Sequence, residues 1–476
     1  MKPQTGASIS NKQDINSQLQ KYTLLAVMLG SFLTPFNGSA VNLAIPAIGR
    51  ELGASAVQLG WVATAFLLAS AAFLVPFGRA ADLLGRKKVF ATGLTLFGLT
   101  SLACALSHTI GMLLISRALQ GAASAMMFGT GMAMLTSVYP PQQRGRVLGL
   151  SVSTTYLGLS LGPVLGGFLS YQLGWRSIFY FTALLALVAA AVALLKVRQE
   201  WRGAENEPYD WAGAALYVAG MLLFMYGFSA LKTAPQARYS LLVGALLLVL
   251  FVRQEVQTPY PVLHMQLLLK NRLFAFSNLA ALINYSATFA VSFLLSLYLQ
   301  VIRGYDSRTA GFILLCQPVM MALLSPYAGR LSDRVAPRLL ASLGMGLTAA
   351  GLLLFAFLTP ATPPVLVMAN LVLLGTGFAL FSSPNSNAVM GAVERRFYGI
   401  ASSMLGTMRL TGQAISMAVA TLLIDIFIGH ARLSATLAKP LLSSLRLAFV
   451  IFAATCVLGV LASLARGPGG EQAGRV

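Results

Sequence analysis

Arg117 and Arg409 each sit inside a long apolar run. A charge there is expensive and is expected to face a cavity or a partner. Around them stand groups suited to binding. Gln120 follows Arg117 by three residues and Gln413 follows Arg409 by four, spacings that put each pair on one helix face. Asn37 and Asn42 are amides in the first apolar run, and Tyr156 is a phenol in the fifth. Such groups can hold a polar or anionic ligand, or answer the protonation of a nearby acid. Asp425, between Ile424 and Ile426, is one of few carboxylates in an apolar run. It is either a titrating group or an interfacial residue beside His430 and Arg432. Asn284, Tyr285, Gln300, Gln317, Asn370, Asn385 and Asn387 are also polar residues in apolar runs, and helix phase alone does not say which of them face a cavity. Bond-cleaving and metal chemistry lack their residues. His108, His264 and His430 fall at or beyond the ends of the runs, and Cys104, Cys316 and Cys456 lie within them. No metal-ligand or Ser-His-Asp spacing occurs, so neither a metal site nor an enzyme is expected.

The elements that must position these groups are membrane helices. The chain has 476 residues, 57% hydrophobic and only 10% charged, against about 25% charged in soluble domains. Lipid must be its solvent, and long helices satisfy the backbone there. The chain is therefore read as an all-α polytopic membrane protein. A net charge of +20 raises nucleic acid as a partner, but the bases are scattered over short loops without one patch or reading motif, which excludes it. Runs of spanning length begin at Leu24, Leu59, Val89, Met112, Val147, Ile178, Trp211, Leu241, Phe274, Ala310, Leu339, Val365, Ile400 and Leu447. That predicts about 14 helices, the run from Leu241 to Val252 being the shortest. With the N-terminus inside, roughly 22 Lys and Arg fall on cytoplasmic segments and roughly 9 outside. Both termini are thus expected in the cytoplasm, residues 1–20 as a polar tail without a signal-peptide core and 467–476 as a second tail.

The connection Gly78-Arg-Ala-Ala-Asp82-Leu-Leu-Gly85-Arg86-Lys-Lys88 lies between two apolar runs. Its charge fixes a water-side loop, Gly85 permits a tight turn, and Asp82 can accept hydrogen bonds from a helix N-terminus or pair with an arginine. Gly329-Arg-Leu-Ser-Asp333-Arg334 echoes it. Gly145, Gly158 and Gly162 are likewise echoed by Gly399, Gly412 and Ser416, and Gln120-Gly121 by Leu374-Gly375. One half of the chain repeats the other. The two aspartate loops are eight runs apart, so two helices are inserted between two six-helix bundles. The expected divisions are 21–200 for the first bundle, 201–256 for a linker and the insert, and 257–466 for the second bundle. Gly203 to Pro208 reads as the linker.

Several of these stretches carry a family resemblance. The Gly78–Lys88 loop is similar to the loop between helices 2 and 3 of the major facilitator superfamily, with Leu83 where an arginine is usual. Asn37-Gly-Ser-Ala-Val-Asn42-Leu-Ala-Ile-Pro46 resembles the first-helix motif of the 14-helix drug:proton antiporters, with Asn37 where that motif has aspartate. Arg117-Ala-Leu-Gln120-Gly121 resembles the Arg-x-x-Gln-Gly motif. Gly158-Leu-Ser-Leu-Gly162-Pro163-Val-Leu-Gly166-Gly167 resembles the helix 5 motif of exporters. Small residues at that spacing also give a face for close helix packing, and Pro163 adds a bend. Trp61 either lines the cavity or anchors at the outer interface.

The resemblance implies two bundles rocking about a central site and efflux of small amphipathic compounds. It implies proton as coupling ion and no other cofactor. The chain is expected to sit in the cell membrane and to work as a monomer. Asn37, Asn42, Arg117, Gln120, Tyr156, Arg409, Gln413 and Asp425 would form the substrate and coupling cavity. Gly78, Asp82, Gly85, Arg86, Asp333 and Arg334 would form a cytoplasmic gate. Gly158, Gly162, Pro163, Gly166 and Gly167 would lie on a helix that tilts between states. An amide at position 37 cannot bind and release a proton, so transport of neutral or anionic compounds, a proton site elsewhere, or facilitated passage or import of one specific solute are the alternatives, with a membrane enzyme or sensor the remote ones.

Overall fold

The computed structural model describes residues 5–54, 56–204, 207–229, 236–263, 270–305, 307–428 and 438–465. Among them there is no strand. The helices are α1 (Thr5–Leu52), α2 (Ala56–Leu84), α3 (Arg86–Ala105), α4 (Ile110–Val138), α5 (Pro141–Leu173), α6 (Arg176–Lys196), α7 (Trp211–Ser229) and α8 (Ala237–Gln257). They continue as α9 (Arg272–Thr288 and Val291–Leu297), α10 (Ser307–Leu314 and Cys316–Ser332), α11 (Pro337–Phe355), α12 (Pro364–Gly391), α13 (Tyr398–Ile428) and α14 (Ala438–Leu464). Thirteen of these are long and apolar enough to cross a membrane, and the apolar part of α7, Trp211–Gly227, is shorter. The weakest expected helix is thus a full one: the run around Leu241 extends at both ends to Ala237–Gln257. The polar stretch expected as a tail continues α1 outward from its apolar part, Ser17–Val41, since lengthening a formed helix costs little.

The packing repeats along the chain. In the first half α5 and α6 pack on α1, α4 on α2 and α3, and α6 on α3. In the second half α13 and α14 pack on α9, α12 on α10 and α11, and α14 on α11. The one set becomes the other on moving eight helices along. Close approaches follow the same rule. A Cβ at Gly121 would lie 2.2 Å from the carbonyl oxygen of Phe66, and one at Gly375 would lie 2.6 Å from that of Gln317. The halves meet along two seams, α5 on α10 and α2 on α13. The insert, α7 and α8, packs as a pair, with α7 against α2 and α13. Trp61 stacks on Tyr226 of α7, ring centroids 5.5 Å apart, so it joins the insert to α2. The break in α9 leaves a free amide at Ala290, and Ser416 of α13 accepts its hydrogen bond at 3.0 Å.

Candidate transport pathway and its closed end

The two seams are fastened at one end of the molecule by two aspartates. Asp82 ends α2 and reaches the first turn of α13 in the other half. Its Oδ1 accepts from the Gly399 amide and its Oδ2 from the Ile400 amide, both at 3.2 Å. These are donors that a helix start leaves unpaired, in the field that favours a carboxylate. Arg86 donates from Nε (2.9 Å) and Nη2 (2.8 Å) to the same Oδ1, and Nη2 also reaches the Arg395 carbonyl at 2.5 Å. Both partners are buried. Gly85 makes the turn into α3 with φ of 117°, which a side chain would strain. Gly78 lets the helices touch: a Cβ there would lie 2.8 Å from the carbonyl oxygen of Gly399.

Asp333 repeats the arrangement on the other seam. It follows α10 and accepts from the Gly145 and Arg146 amides near the start of α5, at 2.8 and 3.2 Å, and from Asn387 at 3.4 Å. Among the described residues no guanidinium bonds to it. Arg334 is exposed. It lines, with Arg146, Arg330 and Asp333, a groove of about 870 Å³ along the seam. Burial pushes the Asp333 carboxyl above the usual 3.8, and the bonds from Gly145, Arg146 and Asn387 pull it back only in part.

The linker after α6 covers the Asp82 junction and not the other. The Gly203 and Ala204 amides donate to the Asp82 carbonyl (2.8 and 3.1 Å), and the Arg86 amide donates to the Trp201 carbonyl (2.8 Å). Glu200 accepts from the Lys87 and Lys88 amides at 2.8 and 3.1 Å, capping α3. Glu207 pairs with the buried Arg79 at 2.5 Å. The sequence placed the linker from 201, with 203–208 as its clearest stretch, and missed Glu200 and the contact that Trp201 makes. The available signal was an acid and an aromatic ring set among the bases that follow α6.

The expected cavity residues separate into two places. Arg117, 1% exposed, does not reach outward along its stem. It donates to the Asn37 Oδ1 (2.5 Å), the Gln120 Oε1 (2.6 Å) and the Val62 carbonyl (2.9 Å), and lies 4.5 Å from the Phe66 ring centroid. Gln120 passes a bond to Ser101 at 2.6 Å, and Asn37 to Thr182 at 3.4 Å. This network is inside the first half. The offset that takes Gly121 to Gly375 takes Arg117 to Leu371, which lies in an apolar core of the second half. The amide at position 37 is therefore the guanidinium's direct partner.

Arg409 instead lines a central cavity of about 70 Å³ between the halves. The Phe128 and Tyr285 ring centroids lie 5.8 and 5.3 Å from its guanidinium carbon. Tyr156 is buried beside this space, edge-on to Phe378 at 5.7 Å, its hydroxyl 3.4 Å from Ser382 across the seam. Gln413 is half-buried one turn beyond Arg409. The side chains of Asn42 and Asp425 lie outside the described residues, as do His264 and His430. Among the described residues no cluster of His, Cys, Asp or Glu could hold a metal ion. The helix 5 glycines pack within their own half: a Cβ at Gly158 would lie 2.4 Å from the Phe32 carbonyl oxygen and one at Gly166 2.5 Å from the Ala40 Cβ, with Gly162 between them and Pro163 and Gly167 half-buried. The small-residue face of α5 that meets the second half lies nearer its start, at Gly145 and Gly149.

Comparison with known proteins fits this architecture. The chain is 27% identical over 401 residues to the riboflavin transporter RibZ of Clostridioides difficile, covering 84% of this chain and 87% of that protein. It is 29% identical over 408 residues to the multidrug resistance protein Stp of Mycobacterium tuberculosis, covering 85% and 75%. The human organic anion transporter MFSD10 (TETRAN) shares the fold, with a TM-score of 0.63 at 16% identity over 95% of this chain and 99% of that one. The sequence model of the Major Facilitator Superfamily matches residues 27–276 and 277–474. The chain is a multi-pass membrane transporter that handles small molecules, and it belongs to the major facilitator superfamily.

Proposed function

We propose that this protein exports small amphipathic compounds by alternating access, coupled to proton entry. One observation carries the alternating-access part. Asp82 and Asp333 each leave one half and accept from backbone amides near the start of a helix of the other, at one end of the molecule, while a cavity lies between the halves. Parting at those two aspartates would open the cavity toward that end, and the bundles would rock as units. The bias of Lys and Arg toward the loops there supports a cytoplasmic reading of that end and of both chain termini. Relatives named for multidrug, puromycin and methyl viologen resistance favour export. The protein would work in the cell membrane as a monomer.

The proton would bind elsewhere than at position 37, because Asn37 is occupied with Arg117 and an amide does not titrate. Asp425 is then the carboxylate to test. A second reading, passage of one specific solute without proton antiport, draws on the riboflavin transporter among the relatives and on the same missing carboxylate. Everted vesicles decide between them. Under the first reading, uptake of a drug panel follows an imposed proton gradient, collapses with a protonophore and is lost in Asp425→Asn. Uptake of a single solute that survives the protonophore would overturn the antiport reading and leave the second. Proton release by the purified parent on drug addition, beside Asn37→Asp, shows whether a group other than position 37 titrates.

A further inference from the structure

The central cavity presents a positive charge and, among the described residues, no negative one. Arg409 supplies the charge, and no carboxylate among the described residues lines the space. From α9 the cavity is met by Tyr285, and from α12 by Asn385. From α5 it is met by Thr155, which the repeat places opposite Arg409 in the other half. Lining residues from α1, α3 and α4 are apolar or hydroxyl-bearing.

A guanidinium withdrawn from water must be paid in hydrogen bonds. Arg117 receives three oxygens. Arg409, also within a span, meets the Phe128 and Tyr285 rings and the open space, and no carboxylate among the described residues pairs with it. Asn385 adds an independent sign. It is 1% exposed, its Nδ2 donates to the Ser277 carbonyl at 3.2 Å, and its Oδ1 has no donor among the described residues. A buried acceptor left open costs stability unless a partner arrives.

Resting on the transporter reading above, we infer that the cavity selects flat organic anions. Arg409 binds the carboxylate or sulfonate, Phe128 and Tyr285 flank the aromatic body, and Asn385 accepts from a donor on the ligand or its water. An organic cation would meet Arg409 with no carboxylate among the described residues to offset the repulsion. The cavity volume of about 70 Å³ is below the ~300–1,000 Å³ of ligand pockets, so such a ligand enters as the halves part.

The test is equilibrium binding to the purified full chain in lipid nanodiscs, which needs neither turnover nor a gradient. The probes are 2-naphthoate, the neutral 2-naphthamide and the cationic 2-naphthylmethylammonium. The parent is expected to bind 2-naphthoate at least ~10-fold more tightly than the amide, and the ammonium more weakly than both, the scale of one charge-assisted pair. Arg409→Gln should erase the preference for the anion over the amide, and Arg409→Lys should keep part of it. An unchanged melting temperature of both variants shows that the fold survives. Equal or tighter binding of the ammonium by the parent overturns the inference. So does an anion preference that persists in Arg409→Gln, or failure of 2-naphthoate to bind. Each of those results leaves the alternating-access reading standing, because that reading is judged by transport.

Discussion

Asp82 and Asp333 occupy equivalent places in the two halves and solve the same problem differently. Each carboxylate spans a seam to backbone amides of the opposite half. Asp82 is sealed. Arg86 neutralises it, and the linker lies across it through the Trp201 carbonyl and the Gly203 and Ala204 amides. Asp333 has no guanidinium among its described partners and borders an open groove. An ion pair without water depends on both members, whereas a carboxylate beside water can trade protein donors for solvent. Equivalent positions in a repeat thus need not carry equal energy. The Asp82 seam is expected to be the stiffer, and it is the one the insert also braces, since α7 packs on both α2 and α13.

The largest test of this difference is removal of each charge. Asp82→Asn leaves Arg86 buried without its counter-ion, a loss of about 3–5 kcal/mol in measured buried pairs. Transport is expected to fall by more than ~10-fold, and a spin-label distance across the α2–α13 seam should broaden toward the open state. Asp333→Asn keeps an acceptor for only one of the Gly145 and Arg146 amides, but it orphans no buried cation and water in the groove can serve the other amide, so a smaller loss, of a few-fold, is expected. Equal losses at the two positions would remove the asymmetry. The next test spares both carboxylates. A Cβ at Gly203 would lie 2.1 Å from the Arg396 carbonyl oxygen, so Gly203→Ala must shift the linker off the junction. Labels across the α2–α13 seam should then report more opening, with the α5–α10 seam unchanged. If both seams respond alike, the linker acts on the whole molecule and not on one junction.

How much of this could be read beforehand depended on which force set each feature. Lipid imposes long apolar runs and exiles charge to the loops, so the helices and the repeated aspartate loops were legible. The ends of α8 were not, because Arg238 and Gln254 extend the helix past its apolar run as polar turns. The two arginines in spans look alike in sequence, each with a glutamine on its own face. Only packing separates them: Arg117 turns into one half against Asn37, and Arg409 turns between the halves. The covering of Asp82 by residues over one hundred positions away depends on where α6 ends in space, which no local pattern encodes.

The smallest expected effect is one of pH at the open junction. With the halves closed, burial holds the Asp333 carboxyl above 3.8, and with the halves parted it returns to water and to about 3.8. The closed form therefore binds the proton more readily than the open one. Below 3.8 both forms are protonated and the closed form has its full advantage from this group. As pH rises from 3.8 through the raised value, the open form ionises first and the closed form loses that advantage. Above both values the equilibrium no longer changes with pH through Asp333. The seam should thus loosen slightly with rising pH across that window, the reverse of a junction that protonation unfastens. Spin labels at the exposed Gln142 and Val335, in a chain with Cys104, Cys316 and Cys456 replaced, would read the α5–α10 distance. The distance distribution should shift toward longer values as pH rises, and Asp333→Asn should flatten that dependence. A seam that instead opens on acidification in the parent, and not in Asp333→Asn, would mean that the amide bonds from Gly145 and Arg146 outweigh burial, which would make this junction as dependent on its charge as the sealed one.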